Sequence, residues 1–487
     1  MLYGVLKTSL ARRAAILGAV SLTAALCHAQ TAQPAPAAPV EQTSAPQGNF
    51  LERWADYYKQ DWRPAPPDPK APAPAAPATR NGTPPVDSPP FPISDWPYGG
   101  SQDIGAPDGN TYPLMTAING AKSRTKAYGW VEPGLNFSSS SHTNFPEAYD
   151  IYPNRLELDQ AVVYVERLAD TVQTSHIDVG YHLTAFFGED YQFTTGKGYF
   201  SQQLLQNHRQ YGFDPVMEYA DIYFPHVAQG MDVRVGRFIS VPGIEAQLAP
   251  NNYMYTHSLL YTFDPFTQTG AVATIKFSKQ WLLQIGLTDG SDVAPWTSDA
   301  TPSGTLCLNY TTASGNDNFY GCANGINDGK YRYDNLQQFD GTWWHRFSKT
   351  VHMGTESWYM YERDVPNVAG NVANPVQLET GTTGAFCQPG EQRCTAPEYA
   401  IVNYINKEFS PEVFLSFRSD FMDDKKGQRT GFATRYSENT LMLNKNFGTT
   451  VTVRPELRFE HAYDAPAYDA GRTHSQITFS ADLIYHF

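Results

Sequence analysis

From Ala127 onward the chain alternates between apolar and polar residues with a period of two, which predicts β-strands. Val451, Val453, Leu457 and Phe459 fall on one face, opposite Thr452, Arg454, Glu456 and Arg458. Ile177, Val179, Tyr181, Leu183, Ala185 and Phe187 oppose Asp178, Gly180, His182 and Thr184 in the same way. Trp281, Leu283, Ile285 and Leu287 repeat the pattern, as do Val413, Leu415 and Phe417 against Ser416 and Arg418. Such strands fit two environments, one wet and one oily. A soluble sandwich would satisfy them by turning the apolar faces inward.

The connections separate these cases. Those at 167–171, 225–229, 278–280, 348–350, 409–412 and 447–449 are brief. Those at 136–154, 188–215, 242–270, 288–335 and 363–396 are long and polar. Short turns at one end and long loops at the other is the layout of a transmembrane barrel, with the long loops outside the cell. The expected fold is therefore all-β: an antiparallel up-and-down transmembrane barrel of about fourteen strands, range about 12–16, with both ends on the periplasmic side. The segment Val241–Gly270, with Tyr261, Phe263 and Phe266, narrows the channel if it folds inward and is a surface loop if it does not. The sequence leaves both open.

The rest of the chain reads differently. Lys7, Arg12 and Arg13 precede an apolar run, Ala14–Leu26, and Cys27-His28-Ala29 forms a small-x-small site. Residues 1–29 are thus expected to be a secretory signal peptide. Leu26 is too bulky before Cys27 for a lipid-attachment site. Residues 30–92 are Pro/Ala-rich tail, unable to bury a core. Within it Phe50, Leu51, Trp54, Tyr57, Tyr58 and Trp62 recur at three- and four-residue spacing and predict a short amphipathic helix over 49–62, either a transiently ordered island in the tail or a helix that docks in the periplasm or plugs the barrel. Residues 93–126 lead into the barrel, 127–487.

Composition sharpens the picture. Aromatic residues make up 14% of the chain, which suits a barrel with aromatic girdles at both water interfaces. Removing the leader turns 35 basic against 49 acidic residues into 32 against 49, a mature net charge of −17. No basic patch is present to neutralise phosphates, so a nucleic-acid partner is excluded. The net acidity implies a mild cation preference if the acidic loops lie near the channel mouth.

Four cysteines remain after processing. Cys307 with Cys322 and Cys387 with Cys394 each fall within a Gly/Asn/Pro-rich stretch read as loop, and local disulfides are the simplest pairing in an exported protein. Neither pair has metal-finger spacing and no histidines cluster nearby. Asn316-Asp317-Asn318 and Asn327-Asp328 lack the regular spacing of a calcium loop and read as solvated surface. No Gly-x-Ser-x-Gly elbow, phosphate-binding Gly-rich loop or His-Glu-x-x-His helix occurs. Neither cofactor nor metal nor catalytic site is expected.

Projecting alternate residues inward places Asp178, Arg234, Lys276, Glu356, Arg418, Arg454, Glu456, Arg458, Glu460 and Asp482 towards the lumen. A charge on the lipid face costs on the order of 2–4 kcal/mol at mid-bilayer, so these side chains face water or each other. They either pair and stiffen the wall or form a charged constriction. The last run, Ser475–Phe487, alternates to a terminal Phe487. That ending resembles the signal recognised by the barrel-assembly machinery, which is then an expected partner beside outer-membrane lipid.

Several short motifs share one resemblance. Gly129-Trp130-Val131-Glu132, Leu158-Asp159-Gln160-Ala161-Val162 and Val233-Arg234-Val235-Gly236-Arg237-Phe238 are similar to segments of the OmpL-like β-barrel porin family. Tyr255-Thr256-His257-Ser258, Pro265-Phe266-Thr267-Gln268-Thr269-Gly270, Leu287-Thr288-Asp289-Gly290 and Arg454-Pro455-Glu456-Leu457-Arg458 continue the series in order over Gly129–Phe487. The resemblance implies a single outer-membrane barrel of porin type with no catalytic residues. The long tail and the cysteine-bearing segments depart from it. The expected function is passive passage of ions and small hydrophilic solutes. The alternative is an adhesin, receptor or structural anchor that works through stapled outer loops.

Overall fold

A computed structural model describes residues 48–62, 113–119, 123–147, 149–348, 350–368, 384–410 and 412–487. The expected leader and most of the Pro/Ala tail lie outside these residues.

The period-two segments become strands of one sheet. β1 (Lys126–Ser138), β2 (Leu156–Arg167), β3 (Asp178–Gly188), β4 (Gly212–Phe224), β5 (Met231–Ile239), β6 (Thr267–Lys276), β7 (Trp281–Ser291) and β8 (Ser303–Thr311) make the first half. β9 (Asp317–Ile326), β10 (Gln337–Ser348), β11 (Val351–Pro366), β12 (Arg393–Ser410), β13 (Val413–Asp424), β14 (Thr434–Phe447), β15 (Val451–Ala462) and β16 (Ser475–His486) make the second. Each pairs antiparallel with its sequence neighbours, and β1 pairs with β16 to close the barrel. Phe487 exchanges backbone hydrogen bonds with Gly129, at 2.9 and 3.1 Å, just beyond that closing ladder.

The strand number is sixteen, two above the expected fourteen. The extra pair is the β8–β9 hairpin, which the sequence places inside a long loop. Its outward face carries Leu306, Leu308 and Phe319 but also Gly304, Gly321 and Ala323, so each apolar run is short and set among Gly, Asn and Ser; its inward residues include Thr305, Cys307, Asn309, Asn318, Tyr320 and Cys322. The Cys307–Cys322 disulfide is therefore not a loop staple. It joins directly opposed residues of adjacent strands on the inner face. Cys387–Cys394 does bond a loop residue, to the second residue of strand β12.

The two faces settle which way the wall points. Leu457 and Phe459 are 53% and 45% exposed, while Arg454 and Arg458 between and beside them are fully buried. Ile477, Phe479 and Leu483 are exposed on β16, and Thr478, Ser480 and Asp482 are buried. A soluble protein buries the opposite set. Apolar side chains outside and polar ones inside require hydrocarbon around the wall.

The amphipathic pattern at 49–62 forms helix α1 (Phe50–Trp62). Asn49 and Glu52 cap it reciprocally, Asn49 N–H donating to Glu52 Oε2 at 2.8 Å and Glu52 N–H to Asn49 Oδ1 at 3.0 Å. It docks at the short-turn end rather than in the lumen. Tyr58 stacks on Tyr485, an outward residue of β16, and donates to the His486 carbonyl at 2.7 Å. The Asp61 carboxylate accepts from Thr449 N–H at 2.9 Å and from the Thr450 hydroxyl at 2.7 Å, holding the β14–β15 turn. Arg53 reaches the Ala117 carbonyl of a second helix, α2 (Pro113–Asn119), at 2.6 Å. Replacing Asp61 by alanine removes the anchor of the helix end and nothing from the wall. Limited proteolysis is expected to cut 48–62 faster in Asp61→Ala while the barrel band keeps its heat-modifiable migration on gels.

Candidate functional site

The lumen is occupied by the segment 240–266 between β5 and β6. It turns inward at Pro242-Gly243, where Gly243 has φ +118°, and then supports itself. The Asn252 side chain donates to the Ala246 and Leu248 carbonyls at 2.7 and 3.0 Å and accepts from Ala246 N–H at 2.8 Å. Ser258 caps a single helical turn, Leu259–Thr262, accepting from Tyr261 N–H at 3.1 Å. Glu245 in turn accepts from Ser258 N–H at 2.9 Å.

Wall charges hold this segment. Arg454 on β15 donates through Nη1 to the carbonyls of Ala249, Asn252 and Met254 at 3.1, 3.1 and 2.9 Å. Its remaining nitrogens meet Asp482 and, at 3.1 Å, Glu132. Arg418 on β13 donates to the Thr256 carbonyl and pairs with Glu438 at 3.0 Å. Arg458 donates to the His257 carbonyl and pairs with Glu460 at 2.6 Å. Carboxylates take the segment's N–H groups: Glu456 from Thr256 at 3.2 Å, Asp420 from Leu259 at 2.7 Å and Glu356 from Ile244 at 2.7 Å. Across the barrel, Gln160 of β2 donates to the Gln247 carbonyl at 3.0 Å and accepts from Ala249 N–H at 3.1 Å. Loop backbone that cannot form a ladder is thus satisfied by charged side chains, as burial demands.

Apolar contacts complete the attachment. Tyr253, Met254, Leu259, Leu260 and Phe263 pack on Trp344, Trp358, Met360, Tyr404 and Phe414 of β10–β13. Within the segment, burial pushes the His257 imidazole below the ordinary histidine range. Burial alone would raise Glu245, but His257, Arg418 and Ser258 outweigh it and hold the carboxyl below the usual range.

Of the charges assigned inward by sequence, Glu356, Arg418, Arg454, Glu456 and Arg458 converge on this segment, with Glu460 and Asp482 as counter-ions. The other three lie elsewhere. Arg234 pairs with Asp221 at 3.1 Å under the Tyr219 ring. Asp178 sits at the short-turn rim with Arg124 and Arg167. Lys276 is half-buried at the same end. Sequence reasoning missed Glu132, Gln160, Glu245, Asp420 and Glu438, and also Arg429, which bonds the Phe263 carbonyl at 3.2 Å and Asp334 at 2.7 Å. For Glu438 and Asp420 the strand alternation was a usable signal; for Glu245 and Arg429, in aperiodic loops, none existed.

Sixteen strands enclose room for an aqueous channel. Here the segment crosses that room, tied to β2, β11, β13 and β15, and the inward wall residues it meets are almost wholly withdrawn from solvent. Any route through this conformation is narrow. Buried cations among the described residues are six arginines (Arg234, Arg237, Arg418, Arg429, Arg454 and Arg458), and buried carboxylates far outnumber them. The lining is therefore acidic.

A closed wall, oily outside and polar inside, with an ordered segment folded into it, defines an outer-membrane β-barrel of porin type. The chain belongs to the family described as "Putative beta-barrel porin-2, OmpL-like", whose profile matches residues 124–487. Solved structures with a similar fold include an anion-selective porin from Comamonas acidovorans, at 9% identity, TM-score 0.46, covering 74% of this chain and 99% of that one. The outer-membrane channel DcaP of Acinetobacter baumannii is similar at 11% identity and TM-score 0.44, covering 74% and 97%. OmpT of Vibrio cholerae is similar at 10% identity and TM-score 0.41, covering 74% and 99%. A search of curated proteins finds no match.

Proposed function

We propose that the protein is a passive channel for ions and small hydrophilic solutes, narrowed by 240–266 and exported by the leader at 1–29. The observation that carries this reading is the polar inner face around a segment held by Arg418, Arg454 and Arg458. The wall would provide the hole and the segment the size limit. Excess buried carboxylate favours cations over anions, since a low-dielectric lining focuses its field along the path.

Planar-bilayer recordings on the purified barrel test this. Small unitary steps are expected, with a reversal potential in a KCl gradient on the cation-selective side. Complete absence of steps sinks the channel reading, and an anion-selective reversal potential sinks the assigned lining. The filled lumen and the Cys387–Cys394 bond at the loop end support a second reading, a barrel that binds or anchors through its outer loops. Liposome swelling separates the two: a channel admits sugars in order of size, and an anchor admits none.

A further inference from the structure

At the loop end of β2 a second cluster of charge stands apart from the arginine ladder. The β1–β2 register slips between Glu132 and Pro133, leaving Asp159 unpaired, so Asp159 and Gln160 both turn inward with Glu157. Gly188, at φ +157°, brings the end of β3 against the same spot, where a Cβ would fall 1.9 Å from the Asp159 carbonyl oxygen. Glu189 N–H then donates to the Leu158 carbonyl at 3.0 Å, and its side chain lands beside the other two acids.

Glu157, Asp159 and Glu189 each place one oxygen within 4.8 Å of the others. Two oxygens on opposite sides of a calcium ion at about 2.4 Å are about 4.8 Å apart, so one ion reaches all three. Asp190 faces Glu189 as a fourth carboxylate. Glu189 Oε2 and Asp190 Oδ1 are both withdrawn from water and have no hydrogen-bond partner, in residues only 1% exposed.

The remaining oxygens are held in place. Gln192 donates to Glu189 Oε1 at 2.9 Å, Gln160 to Asp190 Oδ2 at 3.0 Å and Tyr255 to Asp159 Oδ2 at 2.9 Å. Gln210 donates to Glu157 Oε2 at 3.2 Å, and Arg155 pairs with Glu157 Oε1. Four buried carboxylates thus meet one arginine. Burying such charge without compensation is costly, and a bound cation removes the cost.

We propose that Glu157, Asp159 and Glu189, with Asp190 beside them, form a binding site for a calcium-sized divalent cation at the outer end of the barrel. The donors are all hard oxygens, with no imidazole or thiolate, which selects calcium over zinc. The ion joins β2 to the β3–β4 loop. Through Tyr255 it also steadies the segment in the lumen, a role that does not depend on whether the barrel conducts. The sequence gives no hint of it, because the ligands come from a bulge and a distant strand end.

The test is calorimetric titration of calcium chloride into the purified full-length barrel in detergent, at physiological ionic strength with excess magnesium. One saturable site per chain is expected. Glu189→Gln should weaken it by about tenfold or more, and Asp464→Asn, at an exposed loop pair with Arg435, should leave it unchanged. Chelation should lower the melting temperature of the wild type and not of Glu189→Gln. Should Glu189→Gln fail to fold, Asp159→Asn is read in the same way. No saturable calcium binding to the wild type, or equal affinity in the folded Gln or Asn variant, overturns the proposal.

Discussion

Replacing Gly243–Asp264 with a short Gly/Ser link is expected to raise unitary conductance several-fold without unfolding the barrel. The wall does not need the segment to close. Ile239 at the end of β5 lies directly opposite Thr267 at the start of β6, so a tight turn spans the gap without moving either strand. Each wall strand keeps its ladders on both sides. What the deletion removes is the material that fills the lumen, including the apolar contacts of Tyr253, Leu259, Leu260 and Phe263 with β10–β13. It also frees Arg418, Arg454 and Arg458 from backbone carbonyls, leaving them paired with Glu438, Asp482 and Glu460 on a wall now hydrated. Hydration replaces the lost hydrogen bonds, so the cost in stability is modest. Planar-bilayer conductance of a variant that retains heat-modifiable migration reads the result. Unchanged conductance in a folded variant means that the narrowest point lies elsewhere.

The wall was legible because its two faces differ in kind. On β15 and β16, arginine or threonine alternates with leucine or phenylalanine, and a one-residue slip would put charge into hydrocarbon. Legibility failed where the contrast fades. β8 and β9 present only Leu306, Leu308 and Phe319 as large exposed apolar residues, interrupted by Gly304, Gly321 and Ala323 and flanked by Gly/Asn/Ser-rich stretches, which reads as loop. Their alternation is short, and their place in the wall shows in the ladders to each other and to β7 and β10.

The inner segment was illegible for a different reason. Residues 240–266 pack against opposite walls at once, so aromatic and polar residues occur without period. Its ties are also non-local: the arginines that hold it are read from sequence as wall charges, and nothing in Arg454-Pro455-Glu456-Leu457-Arg458 says that the side chains end on loop carbonyls. The same Arg454 guanidinium that pairs with Asp482 and Glu132 on the wall also holds the backbone of the segment inside the lumen.

Arg454 is the residue whose loss should matter most. Its guanidinium is fully buried and serves three loop carbonyls and two carboxylates. Arg454→Ala leaves Asp482 and Glu132 together without a cation and three carbonyls without a donor. Removing one partner of a buried ion pair costs about 3–5 kcal/mol. β15 is laddered on both sides, so the loss should appear first as release of the segment: faster hydrogen exchange over 244–257 and noisier, larger conductance. The urea midpoint of the barrel should fall less. Arg454→Lys should be intermediate, because an ammonium keeps the charge but cannot span carbonyls and carboxylates with a planar fork. Adding Asp482→Asn to Arg454→Ala should recover part of the protection by removing the stranded charge. Unaltered exchange over 244–257 in Arg454→Ala would mean that Arg418, Arg458 and the aromatic contacts hold the segment without it.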